Sequence, residues 1–241
     1  MAGTKLNANP GQALSVTFTP TDGVNYNAVI KTVHIDVNKA TLTATANNRS
    51  RAYGANNPTL PVTLSGFVNG ETSTVVDTAP TATCAAVASD PAGTTTAIVP
   101  ANGADNNYDF NYVNGTLTIN KATLTAKADN QTRQYGAAEP DFTISYTGFV
   151  NGDTPANITP PTGSTDALIT SSVGNYTITL AGGSAANYNF SRQTGALAII
   201  KAPLFVITDD QTKFTALRIR PLPYDISASR TATRRQALPS R

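Results

Sequence analysis

The chain has 241 residues, of which 13% are charged, with no Trp and a single cysteine, Cys84, so an intramolecular disulfide and any cysteine-based metal cluster are excluded. Its formal net charge of +2 is local in origin, since six of the ten Arg lie beyond residue 213 and, up to Lys213, eleven basic residues stand against fourteen acidic ones. A mildly acidic body has no electrostatic footprint for nucleic acid or an anionic membrane, and no segment approaches the ~18 consecutive apolar residues of a membrane span.

Met1-Ala2-Gly3-Thr4 opens the chain without a basic stretch and apolar run, so no signal peptide is expected in it. Residues 1–38 hold two alternating runs, Leu14 to Pro20 and Ala28 to Val37, about an Asp22-Gly23 turn. Two strands do not close a core. This piece is expected to be weakly anchored, the closing strands of a module whose earlier strands lie upstream of Met1.

From Lys39 the chain repeats. Lys39-Ala40-Thr41-Leu42-Thr43 returns as Lys121-Ala122-Thr123-Leu124-Thr125 and begins again at Lys201-Ala202-Pro203-Leu204, a period of roughly 80 residues that sets the module. In the first copy, 39–120, Leu42, Ala44 and Ala46 alternate with threonines as a strand that Tyr53-Gly54 ends. Leu60, Val62 and Leu64 form a second run, and Gly66-Phe67-Val68-Asn69-Gly70 with Glu71 to Val76 is a turn with room for one helical turn. Thr83 to Val87 and Thr94 to Val99 read as weaker strands. Tyr108, Phe110 and Tyr112 then alternate before Asn114-Gly115, a hairpin signal because both residues tolerate a type I′ turn. The second copy, 121–200, has Tyr176, Ile178 and Leu180 where the first is expected to have Thr95, Ala97 and Val99. On apolar content the second copy should be the more stable.

The third copy stops matching after Lys213, and residues 201–213 are expected to be one orphan strand. Back-translating residues 214–241 with one base restored at Lys213 permits KVYGAANPPFTVRYQRFPDGDTPAS, in register with RQYGAAEPDFTISYTGFVNGDTPAN at 133–157. The tail is therefore expected to be a frameshift product, disordered and without meaning in its basic charge.

The order Lys-Ala-x-Leu-Thr, Tyr-Gly, Pro, Gly-Phe-Val-Asn-Gly-[Glu/Asp]-Thr, Asn-Tyr-x-Phe and Gly-x-Leu-x-Ile over residues 39–200 resembles the MBG repeat of bacterial extracellular proteins, in its Tyr-Gly variety. Val16 to Asp22 with Asn25-Tyr26-Asn27 and Val37 to Ala40 resembles the closing strands of a bacterial immunoglobulin-like repeat. These resemblances imply a mainly β fold: tandem small immunoglobulin-like or β-grasp-like modules in an extended array, typical of large surface proteins that include adhesins. The export signal, any adhesive head that binds a surface glycan, and the anchor would lie outside this chain. The immediate partners are then neighbouring repeats.

Candidate chemistry is sparse. Tyr53-Gly54 and Tyr135-Gly136, like Phe67 and Phe149, are expected to be core plugs beside a permissive backbone rather than ligand contacts. His34 is the one histidine and, as a solvent-facing strand residue, supplies no triad base. Asp105-Asn106-Asn107 with Asp109, and Asp209-Asp210, have oxygen ligands suited to calcium but lack the Asp-x-Asp-x-Asp-Gly loop and its closing Glu, so they read as self-capping turns. Cys84 reads as a small buried apolar residue. No catalytic, cofactor-binding or metal-binding residue is therefore assigned, and a non-enzymatic stalk is expected. The rival is an adhesive, carbohydrate-binding module, which the inward alternation of nearly every Tyr and Phe disfavours. Two aromatics side by side on one exposed face would reverse that order.

Overall fold

The computed structural model describes residues 5–208 and the backbone of Tyr224–Ala228. The chain divides into two compact units, Met1–Ala122 and Thr123–Arg241.

In the first unit, β1 (Asn9–Phe18) and β2 (Val29–Val37) form an antiparallel hairpin in register from Gln12↔Ile35 to Phe18↔Val29. Residues directly opposite share a face, so Leu14, Val16, Phe18, Val29, Val33 and Ile35 lie together, exposed by between 41% at Ile35 and 67% at Phe18. Polar contacts tie the hairpin's start to the following module: Ala8 N–H donates to Asn107 Oδ1 at 2.8 Å, and Lys5 pairs with Glu71.

The first module begins with β3 (Ala40–Ala46), whose Leu42, Ala44 and Ala46 are buried while the threonines between them point outward. Strand period 2 dictates this separation. The chain then changes sheets at Asn47-Asn48, a step not read from the sequence. Thr63 Oγ1 donates to Asn47 Oδ1 at 2.8 Å and Thr116 N–H donates to Asn48 Oδ1 at 2.8 Å, which fixes the crossing from both sides. β4 (Arg49–Ala52) lands in the second sheet; β5 (Val62–Ser65), β6 (Thr81–Cys84), β7 (Thr95–Ala101), β8 (Tyr108–Val113) and β9 (Gly115–Asn120) complete the module. The strand orders are β5-β3-β8 and β4-β9-β7-β6, with β3–β8 and β4–β9 parallel. Ala46 from the first sheet packs with Ile98 and Leu117 of the second and with Ala86 from the loop after β6 to form the core.

The second module repeats this with β10 (Ala122–Ala128), β11 (Gln131–Gln134), β12 (Ile144–Thr147), β13 (Thr162–Thr165), β14 (Gly174–Ala181), β15 (Tyr188–Gln193) and β16 (Gly195–Ile200), in sheets β12-β10-β15 and β11-β16-β14-β13. Ala128, Ala167, Ile178, Leu197 and Ile199 form its core. The fold is thus mainly β in tandem modules. A grasp needs a helix laid across one sheet, whereas each module here has two facing sheets and a single 3-10 turn, Ser73–Val75 or Pro155–Asn157, so the immunoglobulin-like alternative fits.

Three expectations are corrected. Asn114-Gly115 is not a hairpin turn, because β8 and β9 belong to different sheets and neither residue has a positive φ. Gly115 is required for close approach instead: a Cβ there would lie 2.3 Å from the Ala46 carbonyl oxygen, and 2.5 Å from that of Ala128 at Gly195. The residues matching Tyr176, Ile178 and Leu180 are Thr96, Ile98 and Pro100, since Thr96 pairs with Leu117 as Tyr176 pairs with Leu197. Aligning on the expected Thr95 sets the strand one residue out, and in a sheet that exchanges inner for outer faces. Lastly, β17 (Leu204–Thr208) is not an orphan, and Tyr224–Ala228 is not disordered: this segment forms β18, antiparallel to β17 from Leu204↔Ala228 to Thr208↔Tyr224. An unpaired edge recruits whatever β-compatible segment its own chain offers. The frameshift reading of the other tail residues, and Asp209-Asp210, lie outside the described residues.

Candidate functional site

The motif residues converge on one constellation in each module. Val68-Asn69-Gly70-Glu71 is a type I′ turn, with φ of 54° and 72° at its centre and Glu71 N–H donating to Val68 O at 3.0 Å. Val150-Asn151-Gly152-Asp153 repeats it with φ of 56° and 79° and the same bond at 3.0 Å. Into this turn reaches the tyrosine of Asn-Tyr-x-Phe. Tyr108, 2% exposed, accepts from Val68 N–H at 3.2 Å and donates to Glu71 Oε2 at 2.5 Å. Tyr188 accepts from Val150 N–H at 3.1 Å and donates to Asp153 Oδ2 at 2.7 Å. Phe67 and Phe149 meet these rings edge-on, at 5.7 Å and 5.6 Å between centroids. A phenol serving as donor and acceptor to one turn is a clamp, with no group left over for chemistry.

A second repeated feature was missed in the sequence. Arg51 and Arg133 are buried, at 6% and 5% exposure. Arg51 donates from Nε to Asn57 Oδ1 at 2.9 Å and from its terminal nitrogens to the Val87 and Ala52 carbonyls. Arg133 donates from Nε to Glu139 Oε1 at 3.0 Å and to the Leu168 and Gln134 carbonyls at 2.7 and 3.3 Å. Its planar fork ties β11 to two loops at once, a task suited to Arg rather than Lys. The signal was available: both arginines stand two residues before Tyr-Gly.

The singled-out residues now have places. Tyr53 is buried at 6% but Tyr135 is 42% exposed, so the core-plug reading fails for Tyr135. What the copies share is the turn, with φ of 79° at Gly54 and 78° at Gly136. Phe67 and Phe149 are half-buried. His34 is exposed on the polar face of β2, opposite Ala13. Asp105 is taken up by its own loop, Oδ1 accepting from Asn107 and Tyr108 N–H at 2.7 and 3.0 Å and Oδ2 from Asp77 N–H at 3.2 Å. Asp109 is exposed beside Lys39 at 3.7 Å. Among the described residues no three His, Cys, Asp or Glu side chains converge to hold a metal ion. Cys84 is half-buried against the first core. Asp129, which accepts from the Ser145 and Thr143 hydroxyls at 2.6 and 2.7 Å, has its carboxyl held below the ordinary value by those bonds, Ser145 first.

The inward placing of the aromatics holds only in part, since Phe18, Tyr26, Tyr112, Tyr135 and Phe205 are exposed. Phe110 and Tyr112 are adjacent, but their rings stack on each other, 6.1 Å apart and 13° from parallel. Phe110 also covers Gly103, and Gly103 N–H donates to Tyr112 Oη at 2.8 Å. One face of each ring is thus occupied by the other, while Tyr112 stays exposed. Phe18, at the end of β1, and Tyr26, in the loop before β2, do line one open depression of about 540 Å³ with Pro20 and Val29, but Tyr26 is not on the sheet face that carries Phe18, so they are not the flat pair that would reverse the order. Its acidic rim residue, Asp22, accepts from Val24 and Asn25 N–H and from the Asn25 amide.

Two successive β modules closed by the same clamp define a tandem-repeat protein. The chain belongs to the MBG domain (YGX type) family, matched at residues 42–118 and 124–198. No curated protein matches it.

Proposed function

We propose that the chain supplies non-enzymatic structural repeats to the stalk of a bacterial cell-surface or secreted adhesin-like protein. The observation that carries this reading is the connector: β9 ends at Asn120 and β10 begins at Ala122, so Lys121 alone separates the closing strand of one module from the opening strand of the next. A one-residue link without Gly or Pro leaves little chain to reorient, unlike a Gly/Ser linker. The repeated clamps are consumed internally, which suits modules that provide length. Small-angle scattering on residues 39–200 should report a particle about two modules long. A compact globule with the modules folded back on each other would end the proposal.

The Phe18–Tyr26 depression favours a second reading, an adhesive role for the hairpin. Glycan-array binding that is lost in Phe18→Ala and Tyr26→Ala would replace the stalk by that function.

A further inference from the structure

The sequence has four Asn-Gly pairs, at 69, 102, 114 and 151, and the fold treats them differently. Asn69 and Gly70 are exposed, and a Cβ at Gly70 would meet nothing within 4 Å. The Tyr108 clamp and the cross-turn bond from Glu71 N–H to Val68 O hold the two ends of the turn, Val68 and Glu71, and leave the Asn69-Gly70 peptide between them outside those contacts, where local opening is easiest. Asn151-Gly152 has the same turn and the same open space at its glycine. At Asn114 the next residue, Gly115, is buried, paired with Ile98 and pressed against the Ala46 carbonyl. At Asn102 the Gly103 N–H is engaged by Tyr112 Oη at 2.8 Å, and the loop is braced by the Thr78↔Ala104 bridge.

We infer that the motif turns at Asn69-Gly70 and Asn151-Gly152 are sites of spontaneous covalent modification, at which the asparagine side chain converts to aspartate or isoaspartate. A solvent base removes the Gly70 amide proton, and the nitrogen attacks Asn69 Cγ. The C–N bond to the side-chain amide breaks, ammonia leaves with a proton from solvent, and a five-membered succinimide closes. Water then adds to either imide carbonyl, giving aspartate or isoaspartate. No oxidant or cofactor is consumed. The attack requires Asn ψ to rotate out of the turn, so the rate follows how readily each site opens, and Gly115 is the most tightly held of the four. Each conversion adds a negative charge two residues from Glu71 or Asp153. The isoaspartate form also lengthens the main chain by one methylene within the turn that Tyr108 or Tyr188 clamps.

The experiment incubates the full chain in mildly alkaline buffer and follows all four Asn-Gly peptides by mass spectrometry with isoaspartate-resolving chromatography. Asn69 should convert about tenfold or more faster than Asn114, a ratio equivalent to ~1.4 kcal/mol of opening free energy, with Asn151 also faster than Asn114 and Asn102 lying between. In concentrated urea the four rates should become similar. Asn69→Gln should remove the change from its own peptide and leave the others alone. Conversion at Asn114 as fast as at Asn69 in the folded chain, or the same ranking persisting in urea, would overturn the inference.

Discussion

Arg133 is the most exacting test of how each module is held. Its side chain is 3% exposed and is paired with Glu139, which is 32% exposed. Arg133→Ala removes the link to Glu139 at 2.8 Å and leaves the Leu168 carbonyl without the bond it accepts at 2.7 Å. Breaking a buried ion pair from one side costs about 3–5 kcal/mol, but a carboxylate one-third exposed can rehydrate, which lowers the expectation to about 2–4 kcal/mol. Glu139→Gln should cost less than about 1 kcal/mol, because Asn57, a neutral amide, accepts from Arg51 Nε at 2.9 Å in the other copy. The assay is urea unfolding of the full chain read by hydrogen exchange, so that residues 122–200 and 40–120 are followed separately. At a slope of roughly 1–2 kcal/mol per molar urea, Arg133→Ala should lower the second module's midpoint by about 1–4 M and leave the first unchanged. A shift under about 0.3 M, or equal losses from Arg133→Ala and Glu139→Gln, would refute the view that the three-way fork matters more than the ion pair.

Gly195→Ala should destabilise the second module by about 2–4 kcal/mol, since its Cβ would sit 2.5 Å from the Ala128 carbonyl oxygen; Gly23→Ala, with nothing within 4 Å, should be close to neutral by the same urea midpoint. The lowered Asp129 pKa makes this carboxylate stabilising above its unfolded value of 3.8, and that contribution is lost as pH falls through the lower folded value. Wild type should therefore lose melting temperature below about pH 4 relative to Asp129→Asn; parallel profiles in that window would show that the Ser145 and Thr143 bonds contribute nothing. Amide exchange in Gln12–Phe18 and Val29–Val37 should be far faster than in β3 or β10, because the hairpin's apolar face is open; protection equal to the module cores would refute this.

The parts of the fold legible in the sequence were those set by side-chain period. Leu42, Ala44 and Ala46 alternate with threonine and are buried as the pattern demands. The sheet change at Asn47-Asn48 was not legible, because a strand that swaps sheets keeps its alternation on both sides of the break. Asn114-Gly115 misled for a related reason: the dipeptide that favours a tight turn also suits a glycine forced against a neighbouring carbonyl, and only the partner strands distinguish the two. The clamp was legible as recurring letters but not as a contact, since Glu71 and Tyr108 are 37 residues apart and their meeting depends on β3 lying between β5 and β8. The buried forks of Arg51 and Arg133 were not legible, because a lone arginine in a polar strand usually faces solvent.

Because the shared letters are spent on holding the two sheets together, whatever distinguishes one copy from another must lie between them. Tyr112 and Arg192 occupy equivalent positions on β8 and β15, and each binds the backbone of the loop beside it, Tyr112 at Gly103 and Arg192 at Gly182, where the arginine also lies 5.6 Å over Phe190. Two unlike side chains thus do the same structural work. The loop that receives the buried arginine is different. The Val87 and Leu168 carbonyls are equivalent acceptors, so Ala88 corresponds to Ile169 and Ala92 to Val173, and the strand-end pairs Ala52↔Asn120 and Gln134↔Ile200 match Asn120 with Ile200. In the second copy Leu168, Ile169, Val173 and Ile200 are all exposed, by 46% or more. Substitution from small or polar to large apolar at three such positions has no counterpart in the motif and is not explained by the packing within the module. The difference between the copies is therefore written in the loops and strand ends around the clamp rather than in Tyr-Gly or Gly-Phe-Val-Asn-Gly, which both copies keep.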